Sequence, residues 1–354
     1  MKWLQTPWGL PSAEGFLAEA ALQVDAGGAV LIRGPSQPAG AAIAFSSYLS
    51  GQGGREFIVR SVCPTSDELP AEAVAFALGS SGLTAQDLVC DLALQDHVAL
   101  VELGPLADSE MTRNQWFAFL RRFLTQRTKS PCSLSIFLFA STGPGDEPSF
   151  PIVRWGGRLK RLDTTIWADL HAPANRKEPM ARLAEALAVE LGVWRLDIAA
   201  QIAAATHEDL LDIGGLLTEV QLRDSDAVDD FDGASTECTL NLLRRGETAT
   251  VNHRIWRAQL RALFPWIEEI RQRVIERHRS RLAVTPQQRE MGARTIEDIE
   301  FGGIAHQLAI KVPNTEYDLL RALARLRNDL AHHRPVAKAD VQHVLQNLGR
   351  SGYA

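Results

Sequence analysis

Three short, largely apolar runs constrain the fold of this chain more than any other feature. They are Ala29–Arg33 (AVLIR), His97–Leu103 (HVALVEL) and Ser133–Ala140 (SLSIFLFA). Their centres (Ala29–Ile32, Val98–Val101 and Ile136–Ala140) do not alternate between apolar and polar positions, so a strand made from any of them must be covered on both faces. Strands of that kind belong in a parallel sheet flanked by helices. Amphipathic stretches at Ala13–Val24, Ala71–Leu78, Ala85–Ala93 and Asn114–Gln126 supply the helices. Glu56–Val62 reads as a further strand and Thr164–Leu170 (TTIWADL) as the last. The first part of the chain is therefore expected to be α/β with a parallel sheet.

From Arg176 the pattern becomes helical. Glu178–Leu191, Leu196–Ala205 and Glu208–Leu222 predict a small bundle. Arg223–Glu237 (RDSDAVDDFDGASTE) is acidic and poor in apolar residues, which suits either a linker or a partly ordered acidic loop. Ile255–Leu282 then carries Trp256, Leu260, Leu263, Ile267, Ile270, Val274 and Ile275 at helical spacing, with Pro265 expected to kink or split the helix. Helical stretches at Thr295–Ala309, Tyr317–His332 and Lys338–Leu348 complete an all-α bundle. The organisation expected is a core at 1–172, a helical subdomain at 173–222, an acidic linker at 223–252 and a helical bundle at 253–354.

The longest apolar runs are too short to span a bilayer, and Met1–Asp25 lacks the basic start and apolar stretch of a signal peptide. Cys63, Cys90, Cys132 and Cys238 are scattered, with no C-x-x-C pair, which argues against a disulfide framework or a zinc site. A cytoplasmic protein without membrane contact or a bound metal is expected. The net charge of −6 conceals an asymmetry: His253 to the end holds 17 Lys+Arg against 11 Asp+Glu, and the rest holds 20 against 32. The C-terminal segment therefore presents a positive field that favours polyanions, unless its arginines are simply solvated helix faces. Trp155, Trp167 and Trp194 fit either partner anchors or core plugs.

The turn after Ala29–Arg33 is where a phosphate-binding loop would sit. It reads Gly34-Pro35-Ser36-Gln37-Pro38-Ala39-Gly40-Ala41-Ala42. Gly34 and Gly40 are placed for close backbone approach, but no lysine or hydroxyl residue follows Gly40, and two prolines remove amide donors. Downstream, Glu102 ends a strand in the manner of a metal-ordering acid, or is simply a surface acid at a strand end. In order and spacing, residues 13–222 resemble an AAA+ or STAND-type P-loop ATPase core with its helical lid. That resemblance implies a nucleotide site at Gly34, Gly40 and Glu102. The degraded loop implies a pseudo-ATPase in which no nucleotide cofactor is expected. A generic doubly wound domain fits the same pattern.

Near the end of the chain, Arg327-Asn328-Asp329-Leu330-Ala331-His332-His333 closes a helical run before Pro335. Arg is a permanent phosphate clamp and His exchanges protons near neutrality. Asn328 and His332 are four apart and share a helix face, whereas Arg327 and His332 diverge by roughly 140°. A second subunit supplying half the site would ease that geometry. The plain alternative is structural: Arg327 pairs with Asp329 or Glu300, and the histidines cap the last carbonyls.

The segment Leu323–Val336 (LARLRNDLAHHRPV) resembles the Arg-x4-His signature of HEPN domains, with Asn after the Arg. Ile255–Arg281 resembles that family's long first helix, and Ile296–His306 the acidic-aromatic segment preceding the signature. The resemblance implies a metal-independent endoribonuclease. In it His332 acts as general acid/base, Arg327 stabilises the phosphorane and Asn328 orients the phosphate or the imidazole. Whether His332 or His333 takes the family's position is open. The combined architecture resembles bacterial conflict and phage-defence proteins. It implies RNA as a partner, a homodimer or oligomer through the C-terminal bundle, and a protein partner on the N-terminal domain. The competing expectation is a non-catalytic adaptor, and a third is an ATP-driven switch with an unorthodox loop.

Overall fold

The apolar runs do form a parallel sheet. The computed structural model describes residues 6–26, 28–33, 40–51, 56–81, 84–103, 106, 109–127, 134–140, 151–218 and 227–353. The chain divides into two units: Met1–Asp163 with Arg223–Thr236, and Thr164–Leu222 with Glu237–Ala354.

In the first unit the elements run α1 (Pro11–Ala26), β1 (Gly28–Arg33), α2 (Ala41–Gly51), β2 (Ile58–Val62), α3 (Pro70–Leu78), α4 (Ala85–Cys90), β3 (His97–Glu102), α5 (Glu110–Arg127), β4 (Ser135–Ala140) and β5 (Ile152–Arg154). The five strands lie in the order β2-β3-β4-β1-β5, all parallel. Leu31 stands opposite Leu138 on one side and Ile152 on the other. One face of the sheet, through Leu31, Ala99, Val101, Ile136 and Leu138, joins a buried core with Val74, Leu88, Trp116, Leu120 and Phe123 of α3, α4 and α5. The opposite face presents Phe137, whose ring lies 4.8 Å from that of Phe45 on α2. Both faces are thus covered, as unalternating strands require.

One expected strand is a helix. Thr164–Leu170 is not the last strand but lies inside α6 (Arg161–His171). The β-branched run Thr164-Thr165-Ile166 suggests a strand, but Thr164, Trp167 and Ala168 are the buried positions, at i, i+3 and i+4. Tertiary bonds fix that choice: the Thr164 hydroxyl donates to Val193 O at 2.7 Å and the Trp167 indole to Leu196 O at 2.9 Å. The actual fifth strand, β5, is three residues long, too short for periodicity to reveal.

The acidic stretch after Leu222 carries more structure than a linker, although 219–226 lie outside the described residues. Val228–Phe231 (β6) and Ala234–Glu237 (β7) form a hairpin. Its two-residue turn is Asp232-Gly233, with φ of 57° and 82°. Positive φ at both central residues is the demand of a hairpin whose twist matches its strands, and Asp-Gly meets it.

In the second unit, α7 (Met180–Gly192) and α8 (Leu196–Ala204) pack so closely that a Cβ on Gly192 would lie 2.8 Å from that of Ala199. Two short helices, α9 (His207–Leu211) and α10 (Ile213–Thr218), follow them. After the hairpin come α11 (Thr239–Arg244), α12 (Thr248–His278), α13 (Pro286–Glu290), α14 (Phe301–Leu308), α15 (Asn314–Ala331) and α16 (Lys338–Leu348). Pro265 does not split α12, which runs unbroken over 31 residues. Proline in a helix interior costs about 3 kcal/mol. The continuous buried face of Trp256, Leu263, Ile267, Ile270, Val274 and Ile275 keeps the helix formed through it. Trp155, Trp167 and Trp194 are all buried. No described helix is long and apolar enough to cross a membrane.

Candidate functional site

Of the residues suggested for a nucleotide, Gly34 lies outside the described residues. Gly40 has φ of 80° and immediately precedes α2, the left-handed turn that a loop entering a helix here requires. Glu102 ends β3, and its Oε1 accepts the Ala42 N–H at 3.3 Å. The carboxylate therefore caps the N-terminus of α2, the positive end at which a phosphate would be received.

The Arg/His segment is built by the packing of α15 on α12. Leu319, Leu320, Leu323, Leu326 and Leu330 of α15 are buried, which leaves Asn328 exposed on the opposite side. Four residues before Pro335, the helix ends at Ala331 in a two-bond wrap: Arg334 N–H donates to Asp329 O at 2.9 Å and His333 N–H to Leu330 O at 3.4 Å. This is the pattern that closes helices with a left-handed residue just past the cap, and His333 is that residue, with φ of 60°.

Two side chains of α12, three apart, pin the turn from the other side. The Trp256 indole donates to Leu330 O at 2.7 Å, and Gln259 Oε1 accepts the Val336 N–H at 2.8 Å. Neither was singled out as functional from sequence. Their spacing on one face of a long helix marks them only as core, and the hydrogen bonds reveal their role.

Asn328 and His332 stand one turn apart at this pinned end, both exposed. Among the described residues no side-chain hydrogen bond engages either. Arg327 turns elsewhere. Its Nη2 donates to Glu300 Oε1 at 2.7 Å, its Nε lies 3.9 Å from Glu268 Oε1, and its guanidinium lies 5.8 Å from the centre of the Phe264 ring. The Arg327 side chain is 24% exposed, and its Nε is a buried donor without a hydrogen-bond partner among the described residues. Among the described residues no hydrogen bond joins Arg327 to His332. Asp329, the other acid considered for Arg327, pairs instead with Arg334 at 2.9 Å. Of the two histidines, His333 has its ring against Trp256, at 4.4 Å between centres, while His332 caps the helix through its backbone N–H.

A separate polar cluster is buried in the same unit. His278 Nε2 lies 2.8 Å from Glu316 Oε1 and 3.0 Å from Tyr353 Oη, and that hydroxyl donates to the same carboxylate. Burial pushes the Glu316 carboxyl up, but the bonds from Tyr353 and His278 outweigh it and hold Glu316 below the ordinary glutamate range. Burial and then Glu316 push the Tyr353 phenol above its ordinary range. Arg277, 4.9 Å from the ring centre, and Arg273, bonded to Tyr353 O at 2.7 Å, complete the setting.

Among the described residues there is no group of three or more His, Cys, Asp or Glu that would hold a metal ion. Compared with known proteins, the chain matches no family model and no curated protein.

Proposed function

We propose that the second unit carries a HEPN-like module whose α15 terminus acts on RNA as a metal-independent endoribonuclease. The observation that carries this reading is the exposed Asn328–His332 pair, without side-chain hydrogen bonds among the described residues and held on a helix end that Trp256 and Gln259 fix from α12. A proton-transfer group is effective when its support is rigid and its own atoms are unengaged.

With His333 committed to Trp256, His332 takes the proton. As base, its imidazole removes the proton of a ribose 2′-OH. The 2′-oxygen then attacks the adjacent phosphorus, the bond to the 5′-oxygen breaks, and that oxygen takes up a proton from water while the imidazolium returns its own to solvent, which leaves a 2′,3′-cyclic phosphate and a 5′-OH. Asn328, on the same face, orients the phosphate. Arg327 stabilises charge on the phosphorane, and because it diverges from His332 on α15, the module acts as a homodimer in which the second copy completes the site. The first unit serves as a docking or sensing domain without nucleotide, a reading supported by the Glu102 carboxylate on the N-terminus of α2.

The test is cleavage of single-stranded RNA in EDTA. The wild type cuts, and His332→Ala does not, with its melting temperature unchanged because the side chain is exposed. Cleavage that survives the substitution, or a wild type that never cuts, would remove the nuclease reading.

A second reading rests on Arg327 itself. Its bond to Glu300 and its approach to Glu268 tie α15 to α12 and to the entry of α14, which suits a non-catalytic adaptor whose bundle mediates assembly. In that case Arg327 is a strut.

A further inference from the structure

His333 occupies the position after α15 where the backbone turns left-handed, with φ of 60°. Glycine is the usual occupant, because a side chain there costs roughly 1–2 kcal/mol. Strain of this kind persists where its surroundings enforce it, and it gathers at functional sites. Trp256 supplies the enforcement: its ring and that of His333 are 4.4 Å apart between centres, inclined at 44°. Trp256 also meets His253, one turn earlier on α12, at 5.1 Å and 37°. The indole is buried and its N–H is spent on Leu330 O, whereas both imidazoles are exposed. Three aromatic rings thus share one contact group with a fixed centre and two solvent-facing members, one of them next in sequence to His332.

Exposed imidazole faces beside an indole suit a flat, unpaired aromatic group, and unpaired nucleobases offer faces that a duplex hides. Charge of the matching sign lies alongside. Arg257 is one turn from His253 on α12, and Arg334 follows His333. Their side chains are 45% and 63% exposed, with ion pairs of 3.4 Å to Glu190 and 2.9 Å to Asp329. The Arg257 pair holds a carboxylate that is only 3% exposed and stays closed, whereas the Arg334–Asp329 pair lies toward water and contributes little, so the Arg334 guanidinium remains able to meet a backbone phosphate.

We propose that His253, Trp256 and His333 form a stacking platform for one unpaired base of single-stranded RNA, next to His332. The proposal rests on reading the α15 terminus as RNA-handling and names how the strand is held there.

The test uses the full chain and a short single-stranded RNA, with the affinity read by fluorescence anisotropy. His333→Gly removes the ring while suiting the left-handed backbone, so the fold is kept. His253→Ala, at an exposed helix position, is the independent second variant. Each is expected to weaken binding roughly 10-fold, the scale of one stacked base. An abasic position at one point of the strand is expected to weaken the wild type by a similar factor and to leave His333→Gly unaffected. Duplex RNA of the same sequence is expected to bind more weakly than the single strand.

Wild-type affinity in both variants, or binding indifferent to every abasic position, would overturn the platform even if His332-dependent cleavage is observed. Base-dependent binding that falls in both variants, in a protein that cuts nothing, would sustain the platform while the nuclease reading falls.

Discussion

Replacing Arg327 separates the two roles open to it, because each predicts a different free energy in a different assay. The Arg327–Glu300 pair is 2.7 Å long, with side chains 24% and 55% exposed. A pair whose acid faces water contributes about 0.2–1 kcal/mol, and the contact with Phe264 about 0.5–1 kcal/mol. Glu268, at 3.9 Å, adds little directly, and the buried part of the arginine stem adds a fraction of a methylene or two at ~0.8 kcal/mol each. Arg327→Ala should therefore cost about 1–2.5 kcal/mol. That is below the ~3–5 kcal/mol expected when one partner is removed from a sealed pair. If the guanidinium also stabilises a phosphorane, its loss should slow cleavage by about 10²–10³-fold, equivalent to ~2.7–4 kcal/mol. Arg327→Lys should keep most of the stability and lose most of the rate, since an ammonium lacks the planar fork. Urea unfolding followed by circular dichroism gives the first quantity, and single-turnover cleavage of single-stranded RNA gives the second. A stability loss of 3–5 kcal/mol in the alanine variant, together with normal cleavage by the lysine variant, would refute the phosphate role and leave Arg327 a strut.

Three further outcomes are expected. Gly192→Ala should destabilise by about 1–3 kcal/mol, because its Cβ would lie 2.8 Å from the Ala199 Cβ and 3.0 Å from that residue's backbone nitrogen; an unchanged melting temperature would show that α7 and α8 are less closely packed. The Tyr353 cluster should loosen at both pH extremes. The lowered Glu316 gives stability above its unfolded value that is lost as pH falls through its folded one. The raised Tyr353 gives stability below the ordinary phenol value, near ~10, that is lost as pH rises through its folded one. Hydrogen exchange across α12 and the last residues should follow both limbs, and Tyr353→Phe should abolish the alkaline one; an alkaline limb identical in the phenylalanine variant would contradict the assignment. Glu102→Ala should cost about 0.5–2 kcal/mol, the worth of a helix cap, without changing RNA cleavage, and a thermal shift of the wild type in millimolar MgATP would contradict the reading of Glu102 as only a cap.

The sheet was legible in the sequence because β1, β3 and β4 are buried on both faces and so carry no alternation. α6 was not, since Thr164 and Trp167 are held by hydrogen bonds to Val193 and Leu196, residues about thirty positions away that no local pattern reports. The β6–β7 hairpin had a local signal, the Asp232-Gly233 pair, that the acidity of its surroundings obscured. At the candidate site, the composition of α15 and its end before Pro335 could be read directly. The direction of Arg327 could not: Glu268 and Glu300 lie 59 and 27 residues away, and which acid captures a guanidinium is decided by packing. His333 at a positive φ, against Trp256, was equally invisible, because glycine or asparagine is the expected signal at such a turn.

In the proposed reaction the α15 terminus acts on the 2′-hydroxyl of RNA. Its most direct test is cleavage by the wild-type chain, in EDTA, of a single-stranded RNA carrying a 2′-O-methyl group at one mapped cleavage position. This position alone should become resistant, while the unmodified strand yields 2′,3′-cyclic phosphate and 5′-hydroxyl ends. Cutting at the methylated position at the unmodified rate would contradict it.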